Sequence, residues 1–327
     1  MDPRPATPEP ARQQMSPVEA RSRRITPATV FATLGALFLA LQAWIFIRWA
    51  AAGDAHAVPS AHDNISAPRE AAVWAVQAVV VLLAAVYTWI VVRQCRRTGQ
   101  ITFDAALLLG YVLAFWQSPL FNYRALSIVV NRHTVNVATW GEQIPGWHSP
   151  PGQPETLLGL SGLGFVALMT WVWIQAWLTI RISRRFPQWG WGRLLPAALA
   201  AGFVVDWAIE AVWGSTGFFS YATQPTVLTL FEGHWYGMPL LYYAAVTLFI
   251  STGAVVIRHQ AQARGTVPYI FRGTELLTGR ASAAVRLLAG IGLANILLLT
   301  YFAVTLLISH FLGGPMPSDT PGYMWTP

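Results

Sequence analysis

The sequence predicts an all-α protein, a polytopic integral membrane bundle of about seven transmembrane helices with its amino end in the cytoplasm and its carboxyl end outside. Three observations predict it. Of 327 residues 54% are apolar and only 11% are charged, against roughly a quarter charged in an average soluble domain. The apolar residues fall in blocks near the length of about 20 that a helix needs to cross about 30 Å of hydrocarbon. The basic residues, all of them Arg, cluster where those blocks stop.

Residues 1–26 are rich in Pro, Gln, Ser and Arg and poor in large apolar side chains. Such a segment cannot repay the entropy of ordering and reads as a disordered cytoplasmic tail. The predicted spans are Pro27 to Trp49, Ala71 to Val92, Asp104 to Leu120, Leu157 to Ile180, Leu194 to Trp213, Gly237 to Ile257, and Ala283 to Phe311. They make a transmembrane domain over 27–313, interrupted by an ordered outer loop at 121–156 and followed by a short outer tail at 314–327. Ala55-His56-Ala57 resembles a signal-peptidase site, but the apolar run before it is too long for a signal peptide, so it reads as an uncleaved first helix.

Arg placement gives the orientation, because Arg-rich connections stay in the cytoplasm. Arg21, Arg23 and Arg24 precede the first span, and Arg93, Arg96 and Arg97 follow the second. Arg181, Arg184, Arg185 and Arg193 separate the fourth and fifth; Arg258, Arg264, Arg272, Arg280 and Arg286 separate the sixth and seventh. The alternate connections carry Asp54, Asp63, Glu70, Glu142, Glu155 and Glu232 against Arg48, Arg69, Arg124 and Arg132. A formal charge of +7 distributed this way is topogenic rather than a nucleic-acid footprint. The single cysteine, Cys95, excludes an intrachain disulfide or a CxxC pair. Asp104 reads as an N-terminal helix cap, and Gly159, Gly162 and Gly164 as close packing of the fourth span.

The outer loop is too polar to span and too aromatic to be a tether. It reads Trp116-Gln117-Ser118-Pro119-Leu120-Phe121-Asn122-Tyr123, then Asn131, His133 and Asn136, then Trp140-Gly141 and Ile144-Pro145-Gly146-Trp147-His148-Ser149-Pro150. Long loops of this kind are commonly functional, although Trp and Tyr also favour the headgroup zone for its own sake. Inside the fifth span Asp206 and Glu210 stand at i and i+4, on one helix face about 6 Å apart along the axis. Acids at such depth are costly and mark function, unless they serve a structural pair with an Arg or a Trp indole. Glu232-Gly233-His234-Trp235 in a later outer loop lacks a third ligand at fixed spacing, and no HExxH, P-loop or GxGxxG pattern occurs, so no metal and no nucleotide site is expected.

The run Trp116 to Pro150, with SPLFNY and WGxxIPGWxSP, resembles the signature region of the avermectin-type spirocyclases (AveC-like). Length and span layout resemble that family too. The resemblance implies a membrane enzyme of macrolide polyketide biosynthesis, as in avermectin, milbemycin, nemadectin or meilingmycin pathways, that closes a dihydroxy-ketone into a spiroketal, some members also dehydrating the adjacent ring. Its partners would be a lipophilic polyketide macrolide and membrane lipid, without nucleic acid, in the bacterial plasma membrane. No cofactor is needed, because the net reaction is loss of water.

Two carboxyl groups this close in a poor solvent share a proton, and a neutral carboxylic acid is a general acid. Asp206 and Glu210 are therefore the expected acid/base pair, with Glu232 and His234 of the next outer loop as alternates. Trp116, Asn122, Tyr123, Asn131, Asn136, Trp140, Trp147 and His234 are the expected substrate-binding set, which requires the loop to fold over the carboxylates. A membrane terpene cyclase would use buried acids in the same way but prefer bare aromatic walls, whereas a transporter would show an internal repeat and broken midplane helices. Neither a repeat nor paired breaks are visible in the sequence.

Overall fold

The computed structural model describes residues 25–60, 65–149 and 152–324. Residues 1–24 of the tail expected to be disordered, together with His62, Asp63, Pro150 and the last three residues, lie outside them, whereas Ile25 and Thr26 at its end are described. Of the structure 66% is helical. The helices are α1 (Pro27–Ala51), α2 (Ala67–Thr98), α3 (Phe103–Leu113), α4 (Leu163–Arg185), α5 (Trp191–Thr216), α6 (Leu240–Arg264) and α7 (Gly279–Leu312). Six of them are long and apolar enough to cross a membrane, or seven spans if α3 is counted together with the 3-10 helix Phe115–Asn122 that follows at a bend of 49°. Pro119 lies inside that 3-10 turn, where a missing N–H and a fixed φ disfavour a continued α-helix.

Several starts and stops obey local chemistry. Thr26 caps α1 by accepting from the Thr29 amide, with Pro27 at the first helical position. Thr102 caps α3 through the Ala105 amide. The cap expected of Asp104 is therefore made two residues earlier, and Asp104 instead receives the Arg258 guanidinium of α6 at 2.8 Å. The fourth helix begins later than expected, since residues 157–162 form a turn closed by a Leu158 to Gly162 bridge with Gly162 at φ +51°.

The close helix contacts lie elsewhere than in the Gly159, Gly162 and Gly164 group. A Cβ on Gly164 would meet the Gly159 carbonyl oxygen at 1.6 Å, so those glycines pack a turn rather than two helices. The helix–helix approaches are Gly35 of α1 against Gly292 of α7, and Gly110 of α3 against Gly290 of α7. Cβ atoms at these four would lie 2.0–2.5 Å from backbone oxygens of the facing helix. Small residues that let backbones touch are the usual seam of helices in lipid, and they make α7 the axis against which α1 and α3 pack.

The bundle has two unlike ends. At one, the Ala28 amide donates to the Arg272 carbonyl at 3.1 Å, Arg286 donates to Gln100 at 2.6 Å, Arg258 meets Asp104, and Trp191 packs edge-on against His259. All the connections read as Arg-rich and lying within the described residues thus gather together. The opposite end carries the chain's β-structure, which the all-α expectation omitted. There β1 (Ala57–Val58), β3 (Asn136–Ala138) and β4 (Pro154–Thr156) form one antiparallel sheet, and β2 (Ile128–Val130) pairs with β5 (Phe219–Tyr221). A third pair joins β6 (Thr229–Leu230) to β7 (Met238–Pro239). Residues 313–324 fold back over this cap, Met324 bridging to Asn131 and Arg69 donating to the Tyr323 hydroxyl.

One acid of this cap is buried. Glu155 on β4 accepts from Ser118 at 2.5 Å and Thr139 at 3.0 Å, and burial pushes its carboxyl up to about 7. A carboxyl raised in the folded state binds its proton more tightly there than in the unfolded chain. The contribution of Glu155 to stability is therefore greatest below about pH 4.5 and is lost as pH rises through about 7, on the order of 3 kcal/mol. Glu155→Gln should flatten that slope and raise the thermal midpoint measured at about pH 8; an unchanged slope between about pH 5 and about pH 8 would refute it.

Candidate active site

Asp206 and Glu210 share the face of α5 that turns toward α4. Asp206 is fully buried. One of its oxygens accepts from the Trp171 indole of α4, and the other has no partner among the described residues. The indole partner is the structural alternative weighed for this residue, and here it coexists with an unsatisfied oxygen. Glu210, one turn nearer the β cap, borders a narrow cavity of about 70 Å³.

The cavity wall is almost wholly apolar. Trp171 of α4, Trp213 of α5 and Phe121, Tyr301 and Phe302 supply its aromatic faces. Val246 and Ile250 reach it from α6, whose middle, Val246–Thr252, is π-helical. A π segment leaves backbone carbonyls without their usual partners, and side chains take them up: Tyr111 donates to the Ile250 carbonyl at 2.8 Å, and Thr252 to that of Thr247 at 2.8 Å. Gln175 of α4 ties the segment to α5, accepting from Ser251 at 2.5 Å and donating to the Ala198 carbonyl at 3.0 Å.

A tyrosine cluster surrounds the carboxylates. Tyr221 of β5 donates to Glu210 at 3.4 Å, and its ring packs on Tyr242 at 5.2 Å and Tyr243 at 6.4 Å. Burial, reinforced by Glu210, pushes the Tyr221 hydroxyl well above its ordinary value, so it stays a neutral donor. Tyr221, Tyr243 and Tyr301 were not among the expected residues. The signal available was a tyrosine hydroxyl within or beside an apolar span, which needs a partner there.

The expected loop residues serve the loop. Asn122 accepts from the Ser127 and Ile128 amides at 2.8 and 3.0 Å and donates to the Ile128 carbonyl at 2.9 Å. Asn131 donates to the Gly217 carbonyl at 2.8 Å and accepts from the His133 amide at 2.8 Å. Asn136 accepts from Thr134 at 2.8 Å and donates to the Asn131 carbonyl at 3.2 Å. The Trp116 indole donates to Asn295 of α7 at 2.9 Å, the Trp140 indole to the Trp116 carbonyl at 2.8 Å, and the Tyr123 hydroxyl to the Pro145 carbonyl at 2.6 Å. Trp147 packs against Gly141, away from the cavity wall. Glu232 and His234 are exposed, His234 pairing with Asp319 at 2.9 Å.

None of these nine lines the cavity that Glu210 borders. The loop does reach the site indirectly: β2 pairs with β5, Asn131 holds the end of α5 at Gly217, and Phe121 supplies part of the wall. Removing the Tyr221 hydroxyl that touches Glu210 tests the arrangement, and Tyr221→Phe should lower turnover about ten-fold, the scale of one hydrogen bond to a charged group, with membrane levels unchanged.

The architecture defines a class: a helical bundle of membrane-spanning dimensions that holds a carboxyl-edged apolar cavity beneath a small β cap. Residues 95–323, most of the chain, match the model of the family described as "Spirocyclase AveC-like". The chain belongs to the AveC-like spirocyclase family, which carries a cyclase-type role in macrolide biosynthesis. Comparison with curated proteins and with solved structures returned no match.

Proposed function

We propose that this protein is a spiroketal-forming cyclase of the cell membrane, acting on a lipophilic dihydroxy-ketone macrolide with Glu210 as its proton-transfer group. The observation that carries the reading is a carboxyl group at the edge of an aromatic, otherwise apolar cavity in a member of the spirocyclase family. One substrate hydroxyl adds to the ketone to give a hemiketal. Glu210 then protonates the hemiketal hydroxyl, which leaves as water, and the resulting oxocarbenium ion faces Trp171, Trp213 and Tyr301. Aromatic faces and the Asp206/Glu210 pair stabilise that cation. The second substrate hydroxyl attacks, and Glu210, now a carboxylate, takes up its proton. One C–O bond forms as another breaks, and the enzyme returns to its starting state.

Asp206 is enclosed, so its part is electrostatic: with Trp171 holding one oxygen, it keeps a proton shared within the pair. The Arg-rich end faces the cytoplasm in this reading, by the positive-inside rule, and the cavity lies in the half of the bundle toward the outer β cap. The test is to incubate membranes containing the protein with a dihydroxy-ketone macrolide and follow loss of one water by mass spectrometry.

The bare aromatic wall also fits a membrane terpene cyclase, because the asparagines expected to orient several hydroxyls are occupied by loop backbone. A prenylated acceptor run in parallel separates the two. Cyclisation of the prenyl chain with no turnover of the dihydroxy-ketone would replace the first reading.

A further inference from the structure

The Trp140–Ser149 stretch builds a second concavity, unconnected in its lining with the one at Glu210. The 3-10 turn Gly141–Gln143 and a turn at Gly146, φ +79°, fold this stretch beside the last turns of α1. Between them lies an open groove of about 590 Å³ bordered by Trp44, Arg48, Glu142, Gln143, Trp147 and Ser149. Arg48 is held over the Trp44 ring at 5.0 Å. Among the described residues neither Arg48 nor Glu142 is in an ion pair. Two opposite charges thus border one groove without meeting.

Two donors are left over as well. The Trp147 indole N–H and the Ser149 hydroxyl are enclosed and have no partner among the described residues, Ser149 being only 8% exposed. Buried donors without acceptors are uncommon in folded proteins and call for an explanation. The groove also sits at a telling level. It opens where α1 ends, beside Trp44 and Ile47, which are 41% and 69% exposed, and a Trp and an Arg at the end of an apolar helix mark the lipid headgroup zone.

We infer that this groove binds the zwitterionic headgroup of a phosphatidylethanolamine-type phospholipid, its phosphate held by Arg48, the Trp147 indole and Ser149, and its ammonium by Glu142. A guanidinium matches phosphate oxygens with two parallel N–H bonds. A ligand that carries both signs satisfies both walls, which an anion alone does not. The acyl chains would lie along the exposed face of α1. The inference rests on the membrane reading but not on the spirocyclase chemistry.

The experiment is native mass spectrometry of the full chain purified in detergent, titrated with phosphatidylethanolamine, phosphatidylglycerol, soluble phosphoethanolamine and inorganic phosphate. One tight phosphatidylethanolamine adduct is expected, with phosphatidylglycerol roughly ten-fold weaker, the scale of one charge-assisted contact. Arg48→Gln should weaken that adduct roughly ten-fold. Glu142→Gln should bring the two lipids to equal affinity. Both side chains are exposed, so the variants should fold, which a thermal midpoint equal to wild type would verify. Phosphatidylethanolamine bound equally by wild type and Arg48→Gln, or phosphatidylglycerol bound as tightly as phosphatidylethanolamine, would overturn the proposal. Competition by inorganic phosphate as strong as by phosphoethanolamine would make the site one for free phosphate and equally overturn it.

Discussion

Glu210→Gln should abolish cyclisation while leaving the amount of protein in membranes unchanged. The amide keeps the shape of the side chain and can still receive the Tyr221 hydroxyl bond, but it can neither donate an acidic proton nor accept one. General acid–base groups contribute about 10²- to 10⁴-fold, so turnover should fall by at least about a hundred-fold. Asp206→Asn should also lose most of its activity, for a different reason. Its side chain is enclosed against Trp171, so the change removes charge beside Glu210 without touching the substrate. The two variants therefore separate by pH profile. Asp206→Asn retains a titrating step set by Glu210 at reduced rate, whereas Glu210→Gln loses the step itself. Full turnover in Glu210→Gln would remove the carboxyl from the mechanism, and the cavity would then have to act through its aromatic wall alone.

The second large effect is structural. Gly292→Val would set a Cβ only 2.1 Å from the Phe31 carbonyl oxygen. The obstacle is backbone, so no side chain can swing aside, and α1 and α7 must separate along their length. Overpacking of a tight core costs about 1–3 kcal/mol even where neighbours yield, and here the neighbour cannot. The protein should fail to accumulate in membranes or lose its thermal transition. Gly290→Val should do the same to α3, since the Ala106 carbonyl lies 2.4 Å from the added atom. Gly192→Val is the matched control: an added Cβ there meets nothing within 4 Å. Normal accumulation of Gly292→Val would mean that α1 is not packed on α7 as described.

The spans were legible because lipid imposes one rule, a long apolar block, and the sequence obeys it. Their ends shifted where short-range geometry intervened, as at the Leu158 to Gly162 bridge before α4. The shared face of Asp206 and Glu210 followed from spacing alone. Less could be read in the loop. An asparagine that satisfies loop backbone and one that faces a substrate are the same letter, and Asn122, Asn131 and Asn136 are engaged with backbone. Glu155 looked like one more outer acid, because its burial depends on Ser118 and Thr139 arriving from distant segments. The packing glycines needed a knowledge of partners. Gly35 and Gly292 are far apart in sequence, and only the fold shows that they touch.

The π segment of α6 has a consequence for how that helix presents its side chains. Each residue of an α-helix advances the side-chain direction by about 100°, and a π turn takes up more residues per revolution, so Leu240–Ala245 and Gly253–Arg264 are rotated out of phase. The half nearer the β cap can therefore turn Tyr243 toward the site while the half nearer the Arg-rich end independently aims Arg258 at Asp104. A single unbroken period would fix one direction once the other was chosen. Val246–Thr252 acts as a clutch between the halves of one helix, letting the chemistry at one end and the anchoring at the other be set separately.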